Sequence, residues 1–102
     1  MLRFVILEHD WPTLHWDFLL EAGMSLRSWR LRSVPVVGTV IVAEAMPDHR
    51  SIYLDYEGPV SGGRGSVKRW DYGTFEWIHD RENHFEIQLH GDILNGVWRC
   101  EF

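Results

Sequence analysis

Two histidines and an aspartate near the N-terminus, His9, His15 and Asp17, are the residues best equipped for chemistry. Imidazole nitrogens and carboxylate oxygens donate lone pairs, and three of them converging from one side make a divalent-metal site. Strand parity can bring them together, because His15 and Asp17 are two apart and share a face. If position 9 lies opposite 15 in a hairpin, 7 faces 17, 5 faces 19, and His9 joins the same face. The same register pairs Phe4 with Leu20 and Ile6 with Phe18 on the other face, so one arrangement serves both core and site. Two imidazoles and one carboxylate suit Mn²⁺, Fe²⁺ or Zn²⁺, with positions left for water or a phosphate oxygen. On spacing alone, the three also read as surface or packing residues beside a turn.

A second pair, His49 and Tyr53, is four apart on an alternating segment and is expected to point one way together with Ser51. An imidazolium can hydrogen-bond a non-bridging phosphate oxygen or protonate a leaving alkoxide, and a phenol can hold the phosphate. The competing reading has Tyr53 packing against loops and His49 capping a Pro47-Asp48 turn. Gly62-Gly63-Arg64-Gly65 could offer backbone N–H groups to a phosphate or be a plain turn. His79, His84 and His90 read as structural. A different chemistry would take His15-x-Asp17 as the start of an iron facial triad completed by a distant residue such as His90.

The elements that must position these groups are strands. Apolar residues alternate at Phe4 and Ile6 and again at Leu14, Trp16, Phe18 and Leu20, with turn chemistry at Asp10-Trp11-Pro12-Thr13 between them. Further strands are expected over Met24–Arg32, Thr39–Ala43, Ser51–Glu57, Val67–Tyr72, Thr74–Ile78, His84–Leu89 and Val97–Phe102. Met46-Pro47-Asp48 reads as a turn, Gly73 as a break between strands, and Asn95-Gly96 as a hairpin turn. Short strands at this spacing predict a mainly β fold, a single small antiparallel β-barrel with little helix, occupying residues 1–102 as one domain.

Composition narrows the class. With 45% hydrophobic residues and six tryptophans the chain can bury a core without staples. The single cysteine, Cys100, excludes an internal disulfide, fits a reducing cytoplasm, and reads as a small buried hydrophobe. The longest apolar stretch, Val34 to Ala43, is broken by Pro35 and Gly38 and is too short to span a bilayer, so no membrane role is expected. A net charge of −5 argues against a sequence-independent nucleic-acid coat. The charge is uneven, however. Residues 1–26 carry one basic side chain against four carboxylates, residues 27–69 seven against four, and residues 70–102 two against seven. The basic middle could still touch a few phosphates.

Several blocks, in order, resemble one family. Glu8-His9-Asp10 followed by Leu14-His15-Trp16-Asp17-Phe18-Leu19-Leu20-Glu21 is similar to the E-H-D … L-H-Y-D-F-R-L-E opening of the 3′-phosphoesterase domain of bacterial DNA ligase D. Leu26-Arg27-Ser28-Trp29 stands for its L-K-S-W, and His49 through Tyr53-Leu54-Asp55-Tyr56-Glu57-Gly58 for its H-x-x-x-Y-x-D-F-E-G. Trp70-Asp71-Tyr72-Gly73-Thr74-Phe75, Phe85 to Gly91, and Leu94-Asn95-Gly96-Val97-Trp98 match its closing motifs. The resemblance implies that His9, His15 and Asp17 bind Mn²⁺ or another divalent transition metal, and that His49 and Tyr53 contact the scissile phosphate. It implies removal of a terminal ribonucleoside and then a 3′-phosphate from DNA or DNA/RNA primer–template ends in end-joining repair, with other end-joining proteins as partners. An alternative is a catalytically weakened module of the same fold that only binds phosphorylated ends.

The sequence departs from the pattern at Leu7 for a Gln, Pro47 for an acidic residue, and Leu19 for an Arg two residues past the metal-binding Asp. Position 19 is expected to share a face with Asp17, so an arginine placed there would reach past a metal toward phosphate and restore rate on the order of 10²-fold. Arg30, Arg32 and Arg64 are equally placed on sequence to replace it. Arg50 would point away from His49's face unless the strand bulges.

Overall fold

The computed structural model describes residues 1–102. Nine strands form one sheet: β1 (Leu2–His9), β2 (His15–Ala22), β3 (Ser25–Leu31), β4 (Val40–Val42), β5 (Glu44–Arg50), β6 (Gly58–Pro59), β7 (Ser66–Asp80), β8 (His84–Gly91) and β9 (Asn95–Glu101). The only helical element is a 3₁₀ turn, Ser51–Leu54. The pairing order is β4-β9-β8-β7-β1-β2-β3-β5, with β6 pairing β7 off that path. All pairs are antiparallel except β4 on β9.

The expected barrel does not form, because the hydrogen-bond ladder is open between its edge strands β4 and β5. These two edges are consecutive in sequence, separated by Ala43, whose N–H donates to the Glu101 carbonyl. The chain itself, and no ladder, therefore crosses the seam.

The hairpin register is the one that parity predicts: Phe4↔Leu20, Ile6↔Phe18, Leu7↔Asp17 and His9↔His15. Alternate residues then enter two separate cores. Phe4, Ile6, Phe18, Leu20, Trp29, Phe85 and Trp98 belong to the larger cluster, with Phe18 stacked on Trp98 at 4.4 Å between ring centroids. Cys100 is buried there, which pushes its thiol up to about 12. The opposite face of β1–β3 holds a smaller cluster of Val5, Leu7, Leu19, Leu26, Leu54 and Val67, lidded by the 3₁₀ turn. His9, His15 and Asp17 extend that second face.

Several local expectations are corrected. Met46-Pro47-Asp48 is not a turn but part of β5, where the register on β3 slips between Leu26 and Ser28. Proline is tolerated because an edge strand with a bulge does not need its N–H. Ser51–Glu57 is not a strand. Leu54 is buried while Ile52 stays exposed, and the Asp55 N–H donates to the Ile52 carbonyl, closing a 3₁₀ turn. Gly73 does not divide β7, which runs unbroken past it. A Cβ there would sit 2.1 Å from the His90 carbonyl oxygen, so only glycine lets the strands approach.

Asn95-Gly96 begins β9, and the turn falls one step earlier, at residues 92–94. Buried Asp71 decides this. Its carboxylate accepts the backbone N–H groups of Tyr72, Asp92, Ile93 and Leu94 at 2.9–3.0 Å. Asp71→Ala would take an acceptor from four donors, of which the Asp92 N–H keeps the Tyr72 carbonyl at 3.2 Å. A loss of about 3 kcal/mol in denaturant-measured stability is expected, with faster amide exchange at 92–94.

Candidate metal centre

Strands β1, β2 and β3 lie side by side, with Asp17 level with Leu7 on β1 and Arg30 on β3, while His9 pairs with His15 and so lies diagonally beside Asp17. His15 is completely buried and Asp17 nearly so. One ligand atom from each of His9, His15 and Asp17 lies within 4.8 Å of the others. His9 Nδ1 is 3.6 Å from Asp17 Oδ2, and His15 Nε2 is 3.4 Å from Asp17 Oδ1.

The protons on these rings are fixed by their other nitrogens. His9 Nε2 donates to the Arg64 carbonyl at 2.8 Å, and His15 Nδ1 donates to the Thr13 carbonyl at 2.8 Å. A carbonyl only accepts, so in the neutral rings His9 Nδ1 and His15 Nε2 carry lone pairs. Both face a carboxylate. His15 Nε2 and Asp17 Oδ1 are buried without hydrogen-bond partners. Lone pairs gathered this way repel unless a positive charge lies among them, and the nearest cation, Arg30, stands to one side with its Nε 3.8 Å from Asp17 Oδ1. Metal bonds of about 2.1 Å at tetrahedral angles separate donors by roughly 3.4 Å, close to the two histidine–carboxylate distances, each of which runs to a different Asp17 oxygen. Backbone carbonyls orienting the distal ring nitrogens are the usual outer shell of metal-binding histidines. The donor set therefore fits a divalent transition metal.

Above this row lies a cavity of about 370 Å³ lined by His9, Asp17, Arg30, His49, Tyr53 and Arg64, with Trp11, Pro12 and Val60 as an apolar wall. His49 and Tyr53 do reach the same cavity, but not by strand parity. β5 ends at Arg50, and the 3₁₀ turn swings Tyr53 back, leaving the rings 5.7 Å apart edge to face. His49 Nδ1 also donates to the Pro47 carbonyl at 3.2 Å, which leaves Nε2 for other partners.

The glycine loop acts differently from either sequence reading: it contributes the Arg64 carbonyl that orients His9. Gly65, at φ +71°, lets this happen, since a Cβ would lie 2.2 Å from Asp10 Oδ1. Asp10 in turn accepts the Ser66 N–H at 2.8 Å, which holds its carboxyl below the usual carboxylate range and ties the Trp11 loop to the glycine loop. No side-chain pattern in the sequence signals a carbonyl contact of this kind. His90 lies on β8 beside Glu76, 3.4 Å away, and is not among the converging groups, so the iron-triad arrangement is not formed.

Fold and site together define a mainly β domain with a histidine–carboxylate centre set in a cationic cavity. The chain belongs to the DNA Ligase D 3′-phosphoesterase domain family, whose pattern it matches over residues 7–101. It is 32% identical over 108 residues to the multifunctional non-homologous end joining protein LigD of Pseudomonas aeruginosa, covering 96% of this chain. It is 35% identical over 102 residues to the corresponding LigD proteins of Mycobacterium tuberculosis and Mycobacterium bovis, covering 91% of this chain. The chain spans 13% of the length of each of these relatives. No helix is long and apolar enough to cross a membrane.

Proposed function

We propose that this domain is a Mn²⁺-dependent 3′-phosphoesterase that trims 3′-ribonucleoside and 3′-phosphate ends of DNA during end joining. The observation that carries the reading is the pair of histidines, His15 buried and His9 partly so, each protonated on its outward nitrogen and turning the free one onto Asp17. His9 Nδ1, His15 Nε2 and an Asp17 carboxylate oxygen would hold the ion. When bound, it would neutralise phosphoryl oxygens and make water a stronger nucleophile. His49 lines the same cavity and, protonated, would hydrogen-bond a non-bridging oxygen or give its proton to the departing 3′ oxygen. Tyr53 would hold the phosphate through its phenol. The wall of Trp11, Pro12 and Val60 suits the sugar and base of the terminal nucleotide. On this reading the partners would be nucleic-acid 3′ ends and other end-joining proteins, and the working compartment the cytoplasm.

Incubating the protein with Mn²⁺ and primer–templates ending in one ribonucleotide or a 3′-phosphate is expected to release nucleoside and inorganic phosphate. His49→Gln and Tyr53→Phe should each slow this by about 10²-fold without changing Mn²⁺ affinity. Leu19, standing where the family has arginine, gives the alternative its basis. Binding of 3′-phosphorylated ends with no cleavage at any Mn²⁺ concentration would make the domain an end-binding module.

A further inference from the structure

The position left by the family's arginine is occupied by a core leucine, yet the cavity still contains guanidinium groups. Arg30 and Arg64 line it. The other two candidates do not: Arg32 extends into solvent near Glu44, 3.8 Å away, and Arg50 borders a different surface recess with Met24 and Asp48. Arg64 is tied to its own loop, its Nε donating to the Ser61 carbonyl at 2.7 Å and Nη2 contacting Ser61 Oγ at 3.3 Å. Arg30 is different. Its Nε is buried and has no hydrogen-bond partner, and the nearest carboxylate oxygen, Asp17 Oδ1, stands 3.8 Å away. Its side chain is only 24% exposed. A buried donor on a permanent cation is costly unless something completes it, and the open side of Arg30 is the cavity.

We propose that Arg30 is the phosphate-binding cation of this site, supplied from β3 rather than from position 19 of β2. The proposal rests on the phosphoesterase reading above and adds to it the residue that receives the anion. The pairing Asp17↔Arg30 puts the guanidinium beside the metal-binding carboxylate, where an anion on the ion would meet it. A phosphate in the cavity would be met by the accessible part of this guanidinium, whose flat array of N–H groups favours two-pronged contact.

A purely structural Arg30 would serve Asp17, and the two roles separate cleanly. Mn²⁺ is titrated calorimetrically into the protein and into Arg30→Gln and Arg30→Lys, and inorganic phosphate is then titrated into each Mn²⁺-saturated protein. Removing a cation beside Asp17 should leave Mn²⁺ affinity unchanged or tighten it. Phosphate affinity should fall about 10- to 100-fold in Arg30→Gln, with partial recovery in Arg30→Lys, which restores charge without the fork. Undiminished phosphate affinity in Arg30→Gln overturns the proposal. A tenfold loss of Mn²⁺ affinity in both variants also overturns it and assigns Arg30 to holding Asp17. Failure of the underlying reading shows elsewhere: the unsubstituted protein would then bind no Mn²⁺, and the proposal falls with it.

Discussion

His15→Ala is expected to lower Mn²⁺ affinity on the order of 10²-fold or more, enough to remove measurable binding by calorimetry. His15 Nε2 is buried, faces Asp17 at 3.4 Å, and has no partner within the protein. Losing even a residue that merely orients a metal ligand typically costs 10- to 100-fold, so losing a ligand should cost at least that. Because the alanine also leaves a small void in a completely buried position, Asp17→Asn provides a second, nearly isosteric test. It should lose Mn²⁺ as well. Without metal its stability should change little, since an amide N–H can satisfy a histidine lone pair that a carboxylate repels, while the charge opposite Arg30 at 3.8 Å is lost. The thermal readout follows from linkage: Mn²⁺ at about 100 times its Kd should stabilise the unsubstituted domain by about 2.7 kcal/mol and leave both variants unmoved. Undiminished affinity in His15→Ala would remove the metal assignment.

Leu19→Arg is expected to cost about 3 kcal/mol or more in stability and to bring no gain in cleavage. Sequence parity predicts the reverse, because position 19 does share a face with Asp17. The structure shows what that face holds at position 19. Leu19 is completely buried among Val5, Leu7, Leu26, Leu54 and Val67, beneath the 3₁₀ turn. A guanidinium there would lie in an apolar cluster with no acceptor arranged for it, and an uncompensated buried charge typically costs 3–5 kcal/mol. Urea denaturation read by tryptophan fluorescence measures the loss. If the variant is as stable as its parent and trims 3′ ends faster, the small cluster opens onto the cavity and Arg30 is not the cation that serves it.

Much of the site was legible in the sequence because strand geometry is periodic. Once Phe4, Ile6, Phe18 and Leu20 require one face, parity assigns His9, His15 and Asp17 to the other, and the observed register satisfies both. The ordered motifs likewise marked His49 and Tyr53 for one place, although the route by which Tyr53 arrives is a 3₁₀ turn. Local alternation cannot distinguish that turn from a strand, since burial of Leu54 satisfies either.

What only the tertiary structure decided depends on contacts between segments far apart in the chain. The carbonyl that orients His9 comes from position 64, fifty-five residues away, and backbone carbonyls have no sequence signature. Pro47 remains in β5 because that strand is an edge, a property of the whole sheet's order. The hairpin turn settles before Asn95-Gly96 because three N–H groups of residues 92–94 gain a buried carboxylate from β7, which outweighs the local preference of the dipeptide. The choice among Arg30, Arg32, Arg50 and Arg64 is of the same kind. Sequence determines that several cations lie in the basic middle of the chain. The packing of β3 against β2 determines which of them is left partly buried, with an Nε that makes no hydrogen bond, and facing the cavity.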